Sequence, residues 1–362
     1  MTPAWTLRRY ETEDEDAILE LLNAAFGKWH SPEYWRWKYT RNPAGPPIIW
    51  LAEHNNKIIG HYGITPIRMK IGNAYVRGSF ADDAATHPDY QGRGVFSSIV
   101  NRSYLDAGQG GIPITFGFAN TNLGPTYKRY ERIGHICFMI AMTKVFDWEP
   151  FLAKYAQNKR LIRAASAVLR RIRRPRSSRG DLRIETIDRF DERSDVFWER
   201  VCRNFQVVVR RDQTYLNWRY VGHPEKEYTI RAAVEGRRFL GYSVLARQRR
   251  DNLSLGLIVD ILGFQDHRDV VGHLIDDAVR CFEQQNVHGV SSAISEMHPY
   301  GSLFWKAGFI RHPHRNLALH SAVNLPGSPI DERQVYSQAI LLSRNCLLKE
   351  KANWFMTYAD DL

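Results

Sequence analysis

The chain has 362 residues, roughly twice the modal domain size, so two domains are expected. With 44% hydrophobic and 12% aromatic residues it can bury two cores, which excludes a largely disordered chain. The net charge of +11 is concentrated: ten basic residues and no acid lie between Phe151 and Gly180, which leaves about +1 elsewhere and excludes a uniformly basic surface.

In chain order, an acidic run from Thr12 to Asp16 precedes the first apolar helix, so the N-terminus does not read as a signal peptide. Ile18, Leu22 and Phe26 are expected to share one face of that helix. An aromatic segment follows, with Trp29, His30 and Trp35 as candidates for the wall of a substrate site. Strands are expected over 48–52, 57–66 and 74–85, a helix over 94–107, and a buried strand over 112–118. A helix over 123–133 and a strand over 136–146 complete the first half.

The second half repeats the first. Tyr34, Trp37, Tyr39 and Pro43 match Tyr215, Trp218, Tyr220 and Pro224 at a constant offset of 181, and Lys38 pairs with Arg219. Phe197, Val201 and Phe205 form the counterpart of the first helix face. Strands are expected near 228–234, 239–246, 255–263 and 287–293, with helices near 267–285 and 299–307. The expected division is therefore 1–146, a basic linker helix over 147–181, and 182–362. The repeated Trp and Tyr pairs read as core aromatics. In the linker, apolar residues from Leu161 to Ile172 fall at helical spacing with arginines opposite. It reads as a solvated helix, or as a docking surface over 154–179 for an acidic carrier protein, RNA or an anionic membrane surface.

Cys137, Cys202, Cys281 and Cys346 lie far apart, with neither metal-ligand spacing nor a disulfide framework, so no metal is expected. The longest apolar run, from Ile136 to Met142, is far short of the ~20 residues that span a bilayer. A cytoplasmic protein without a transmembrane segment is expected.

The most informative stretch runs from Ala81 to Phe96: a strand, a tight turn holding Gly92 and Gly94, and a helix start. The glycines let backbone amides turn outward, and a helix N-terminus supplies N–H groups and a positive dipole end suited to a pyrophosphate. Gln91 flanks the turn, and Arg93 can add a charge-assisted contact.

At these residues the chain resembles the GNAT acyltransferase superfamily. The resemblance lies in Asp82-Asp83, His87-Pro88 and Gln91-Gly92-Arg93-Gly94-Val95-Phe96, where Phe96 stands in place of the usual small residue. It continues in Phe116-Gly-Phe-Ala-Asn120 and in Tyr130-Glu-Arg-Ile-Gly134. It covers 1–146 well and 182–362 as a weaker copy. It implies an α/β (α+β) fold of two tandem GNAT-like domains, each with a mixed, mostly antiparallel sheet flanked by helices. It also implies that Gln91, Gly92, Arg93, Gly94 and Val95 hold the pyrophosphate of acetyl-CoA or another acyl-CoA, with Asn120 on the pantetheine.

Acyl transfer from a thioester to an amine must remove a proton from an ammonium of pKa near ~10, stabilise an oxyanion and protonate a thiolate. Asp83, Asp82 and His87 are the candidates for the base, and Tyr130 for the acid. The backbone amides of Ala84, Ala85 and Thr86 would hold the carbonyl oxygen. Asp83 aligns with Asp260 of the second half, which also makes a structural role open to it. With Asp260 aligned on Asp83 without gaps, Asp269 and Val271 fall on Gly92 and Gly94; separately, Phe304-Trp-Lys-Ala-Gly308 keeps the shape of Tyr130–Gly134 with Phe304 in place of the tyrosine, so the copy lacks both the turn and the acid.

The expected activity is acyl-CoA-dependent N-acylation of a primary amine on a small molecule or amino sugar, by direct transfer in a ternary complex. The rivals are a Fem-type transferase that uses aminoacyl-tRNA and a non-catalytic acyl-CoA-binding protein.

Overall fold

The computed structural model describes residues 5–27, 31–119, 133–152, 182–250, 252–323 and 350–357. The first half runs β1 (Thr6–Arg9), α1 (Glu15–Phe26), α2 (Pro32–Trp35), β2 (Ile48–His54), β3 (Lys57–Ile71), β4 (Ala74–Thr86), α3 (Val95–Gln109), β5 (Ile114–Ala119) and β6 (Ile133–Val145). After α4 (Glu149–Leu152) the second half runs β7 (Leu182–Ile187), α5 (Glu192–Val201), β8 (Val207–Val209), α6 (Gln213–Leu216), β9 (Thr229–Glu235), β10 (Arg238–Arg250) and β11 (Leu253–Gly263). It closes with α7 (Arg268–Gln284), β12 (Gly289–Ser295), α8 (Gly301–Lys306), β13 (Ile310–Val323) and β14 (Trp354–Phe355). Both α2 and α6 continue as one wide turn, over Arg36–Thr40 and Asn217–Val221. The helix expected over 123–133, apart from Ile133, which opens β6, and the linker helix expected over 147–181, apart from 147–152 with α4, lie outside the described residues.

The strands join edge to edge in the order β1-β2-β3-β4-β5-β13-β6-β12-β11-β10-β9-β7, with β8 between β3 and β14. All pairs are antiparallel except β4 with β5, β11 with β12 and β8 with β14. Read inward from either end, the order gives equivalent strands of the two repeats. The closing strands are exchanged: β6 pairs with β12, and β13 pairs with β5. β6 and β13 then pair with each other at the centre. The repeat is thus a pseudo-twofold built into one mixed, mostly antiparallel sheet.

Alternation along β2 explains the layers. Ile48, Trp50 and Ala52 face α3, where they pack with Val95, Ile99 and Ala107. Ile49 and Leu51 face the other way, onto Ile18 and Leu22 of α1 and onto Trp35 and Tyr39. Both faces of the strand are therefore apolar and buried. Phe26 departs from its expected place on the α1 face, since it is 50% exposed in the last turn before the Gly27 cap. Phe197, Val201 and Phe205 are all buried, as expected. At the pseudo-twofold, the Trp37 and Trp218 rings stack with centroids 4.8 Å apart. Each indole N–H donates to the other residue's carbonyl, at 2.9 and 3.1 Å.

Candidate active site

β4 delivers the chain to a turn whose start is tied to β3, because the His87 N–H donates to the Ile59 carbonyl at 2.9 Å. Pro88–Tyr90 makes one tight helical turn, and Gln91 Nε2 reaches back to the Thr86 carbonyl at 3.3 Å. Gly92 and Gly94 have φ of +73° and +88°, which L side chains rarely adopt, and a Cβ on either would meet nothing within 4 Å. The glycines are therefore required by backbone conformation, and the space beside them is open. Residues 91–94 are exposed, while Val95 is buried and anchors the first turn of α3.

Gly94 caps α3 without any side-chain cap, so the first amides of this 15-residue helix face the open turn. Arg93 lies with its guanidinium 5.3 Å from the Tyr90 ring centroid. Phe96 is half-buried and edge-on to Tyr62, with centroids 6.2 Å apart, so its bulk is taken up by the sheet face. His87 behaves as a turn residue: its Nδ1 accepts from the Asp89 N–H at 3.3 Å, and its Nε2 lies 3.1 Å from Lys57 Nζ.

β4 pairs with β5 only at Ser79–Thr115 and Phe80–Phe116, and beyond that the strands part. β4 stays on β3, where Asp82 faces Gly63 and Ala85 faces His61. Asp83 and Ala84 together oppose Tyr62, which makes a bulge. Asp83 takes φ of +52° there. The stretch from Ala84 to Thr86 thus lies along the cleft edge, joined through Gln91 to the glycine turn.

The Asp83 side chain meets the wide turn that follows α2. Its Oδ2 accepts from Lys38 Nζ at 2.9 Å and from the Tyr39 hydroxyl at 2.7 Å. Its backbone carbonyl accepts from His61 Nδ1 at 2.8 Å. Burial pushes the Asp83 carboxyl up, but the charge and hydrogen bond of Lys38, with that of Tyr39, outweigh burial and hold it below the usual range. His61 is pushed down by burial, only partly offset by Asp83. Lys38 itself is 1% exposed. Lys38 and His61 were not among the candidates from sequence. The matching of Lys38 with Arg219 and of Tyr39 with Tyr220 was the available signal.

The second half keeps the acid without the turn. Asp260 Oδ2 accepts from Arg211 at 3.1 Å, Tyr220 at 3.0 Å and Tyr242 at 2.8 Å, and Oδ1 accepts from Thr357 at 2.9 Å. Only four residues separate β11 from α7, against eight between β4 and α3. The ungapped placement of Asp269 and Val271 over Gly92 and Gly94 is therefore corrected: the turn is deleted, and Val271 is a buried residue of α7. Phe304 is fully buried in α8.

Among the sequence candidates, Ala84, Ala85 and Thr86 come together with Gln91, Gly92, Arg93, Gly94 and Val95. Trp35 is corrected: it is fully buried, 5.2 Å from the Tyr10 and Tyr39 ring centroids, so it belongs to the core and cannot line a substrate wall. Asn120, Tyr130, Trp29, His30 and the basic segment 154–179 lie outside the described residues. Among the described residues no helix is long and apolar enough to cross a membrane, and no group of three His, Cys, Asp or Glu could hold a metal ion.

A bulged β4 thus parts from β5 and feeds a glycine turn at a helix N-terminus. Residues 6–134 match the family described as "Acetyltransferase (GNAT) domain". No curated protein matches the sequence. Among solved structures, a protein of unknown function and probable N-acyltransferase from Enterococcus faecalis aligns with a TM-score of 0.64 and 12% identity, over 88% of this chain and 73% of that one. A GCN5-related N-acetyltransferase from Anabaena variabilis gives 0.59 and 13%, over 90% and 76%. The Saccharomyces cerevisiae N-myristoyltransferase with bound myristoyl-CoA gives 0.61 and 9%, over 91% and 85%. At these identities the likeness is one of fold.

Proposed function

We propose that the chain is an acyl-CoA-dependent N-acyltransferase whose first half, 1–146, carries the reaction, and whose second half, 182–362, is a copy without a donor site. The observation that carries this reading is the open glycine turn on α3 beside the parted strands β4 and β5, present in one repeat and deleted in the other. The turn suits the pyrophosphate of a coenzyme A thioester: the first amides of α3 point to it, and Arg93 adds a cation. The bound thioester supplies the activated acyl group. The 84–86 backbone borders the cleft where its carbonyl would lie, and N–H groups held rigidly there stabilise developing negative charge. Asn120 remains the proposed pantetheine contact and Tyr130 the proposed acid.

Acetyl-CoA is the simplest donor, and a primary amine of a small molecule or amino sugar is the proposed acceptor. The test is thiol release from acetyl-CoA with a panel of primary amines that includes glucosamine, alongside calorimetry of acetyl-CoA. One binding site per chain and amine-dependent thiol release are expected. Binding without release for any amine would favour a non-catalytic binding protein, and no binding would favour an aminoacyl-tRNA donor.

A further inference from the structure

We propose that Asp83 is a positioning residue: clamped by Lys38 and Tyr39, it holds the left-handed turn of β4 that aims the 84–86 backbone at the acyl carbonyl, and it takes no proton in the reaction. The inference rests on the acyltransferase reading above.

Three observations carry it. First, one carboxylate oxygen of Asp83 already accepts from two donors, one of them an ammonium 1% exposed. Protonating that carboxylate would give up its ion pair with a buried ammonium, which is costly in a protein interior. Second, a φ of +52° on a residue other than glycine is strained and persists only where surrounding bonds over-determine it. Here they do. The wide turn after α2 holds the Asp83 side chain through Lys38 and Tyr39, and His61 of β3 holds its carbonyl. Third, the second half makes the same bond without a donor site. Tyr220, the repeat partner of Tyr39, donates to Asp260 beside the β10–β11 irregularity, and Arg211 supplies the cation. An acid–tyrosine–cation group retained where the glycine turn is deleted serves the strand and not proton transfer.

The test uses the full chain with acetyl-CoA and the primary amine turned over fastest in the panel. It compares Asp83→Asn, Tyr39→Phe and the double variant Lys38→Met/Asp83→Asn. Asparagine tolerates the left-handed region as well as aspartate does, and the double variant removes the buried ammonium together with the carboxylate, so it keeps the test open where Asp83→Asn alone fails to fold. A clamp predicts that Asp83→Asn and Tyr39→Phe weaken acetyl-CoA binding by about tenfold and lower kcat by up to ~10²-fold, the loss typical of sub-ångström misplacement, equally from pH 6 to 10. The double variant folds but keeps both deficits, because it lacks the clamp as well. A base predicts unchanged acetyl-CoA binding and a deficit that closes above the amine's pKa. That second pattern overturns the inference and leaves the acyltransferase reading intact. Wild-type protein that binds no acetyl-CoA removes both.

Discussion

The most direct consequence of the glycine turn concerns Gly94. Replacing it with Asp places a side chain at φ of +88°, which costs roughly 1–2 kcal/mol of backbone strain, while Asp at a helix cap returns a few tenths. Because a Cβ there meets no atom within 4 Å, no steric penalty is added, and the melting temperature falls by only about 2–4 °C. The effect on the donor is larger. A carboxylate about 6 Å from a phosphate charge repels it by about 0.7–3 kcal/mol for an effective dielectric between ~80 and ~20. Acetyl-CoA binding should therefore weaken by at least ~3-fold, and by up to ~10⁴-fold when both pyrophosphate charges feel it. Gly94→Ala carries the same strain without the charge and should bind within a few-fold of wild type. Calorimetry at ~50 mM and ~500 mM salt separates the two causes, since added salt should narrow the gap between the Asp and Ala variants. A folded Gly94→Asp protein that binds acetyl-CoA as wild type does would refute the assignment. So would two equivalent sites in the wild type.

Acid stability should follow two buried histidines. His298 is held down to about 3 by burial and by Arg211, and its Nδ1 accepts from the Tyr300 N–H, so a proton there would oppose a donor. His61 is lowered in the same direction. The unfolded chain takes up these protons below pH ~6.5 while the folded chain resists them, so the His298 share of stability falls by about 1.4 kcal/mol per pH unit as pH drops from ~6.5 towards 3, and His61 adds to the loss in the same direction. Burial of Asp83 and Asp260 is outweighed by Lys38 and Arg211, so these acids stabilise the fold above pH ~4 and that share is lost below it. Denaturant midpoints at pH 7, 5 and 4 test this; equal midpoints at 7 and 5 would contradict it, and His298→Asn should flatten the slope. Residues 1–146 expressed alone should aggregate, because β5 lacks β13 and β6 lacks β12. Co-expression with 182–362 should restore a single cooperative melt, and a cooperative melt of 1–146 by itself would count against the exchange.

Local pattern made much of this fold legible. The constant offset of 181 revealed the duplication, and alternation in 48–52 and helical spacing in 94–107 placed β2 and α3 within two residues of their ends. The glycine turn was legible because only glycine suits its backbone. The crossing of β6 and β13 was not, since which strand a segment pairs with leaves no mark on its own sequence. The same holds for Lys38: a lysine between two aromatics reads as exposed until the partner carboxylate, 45 residues away in sequence, is seen to meet it. Trp35 misled because the second half does not repeat it and holds Leu216 at the matching position, which suggested a role special to the first half, while its neighbours in space are Tyr10 and Tyr39. The missing turn in the second half was visible as a loss, but a substitution and a deletion look alike until the helix start is fixed.

The exchanged closing strands bear on how such a duplicated gene can change. Substitutions that erase a donor site in the second repeat leave the strand pairings untouched, so selection for the first repeat's chemistry does not oppose them. A stop codon before residue 310 is different: it strips β13 from β5 and exposes a bare hydrogen-bonding edge on the strand next to β4, which leads into the glycine turn. The second copy is thereby free to drift in chemistry and bound to persist as a scaffold. A descendant that regained catalysis in that copy would have to rebuild the turn by inserting residues between β11 and α7, not by exchanging those already there.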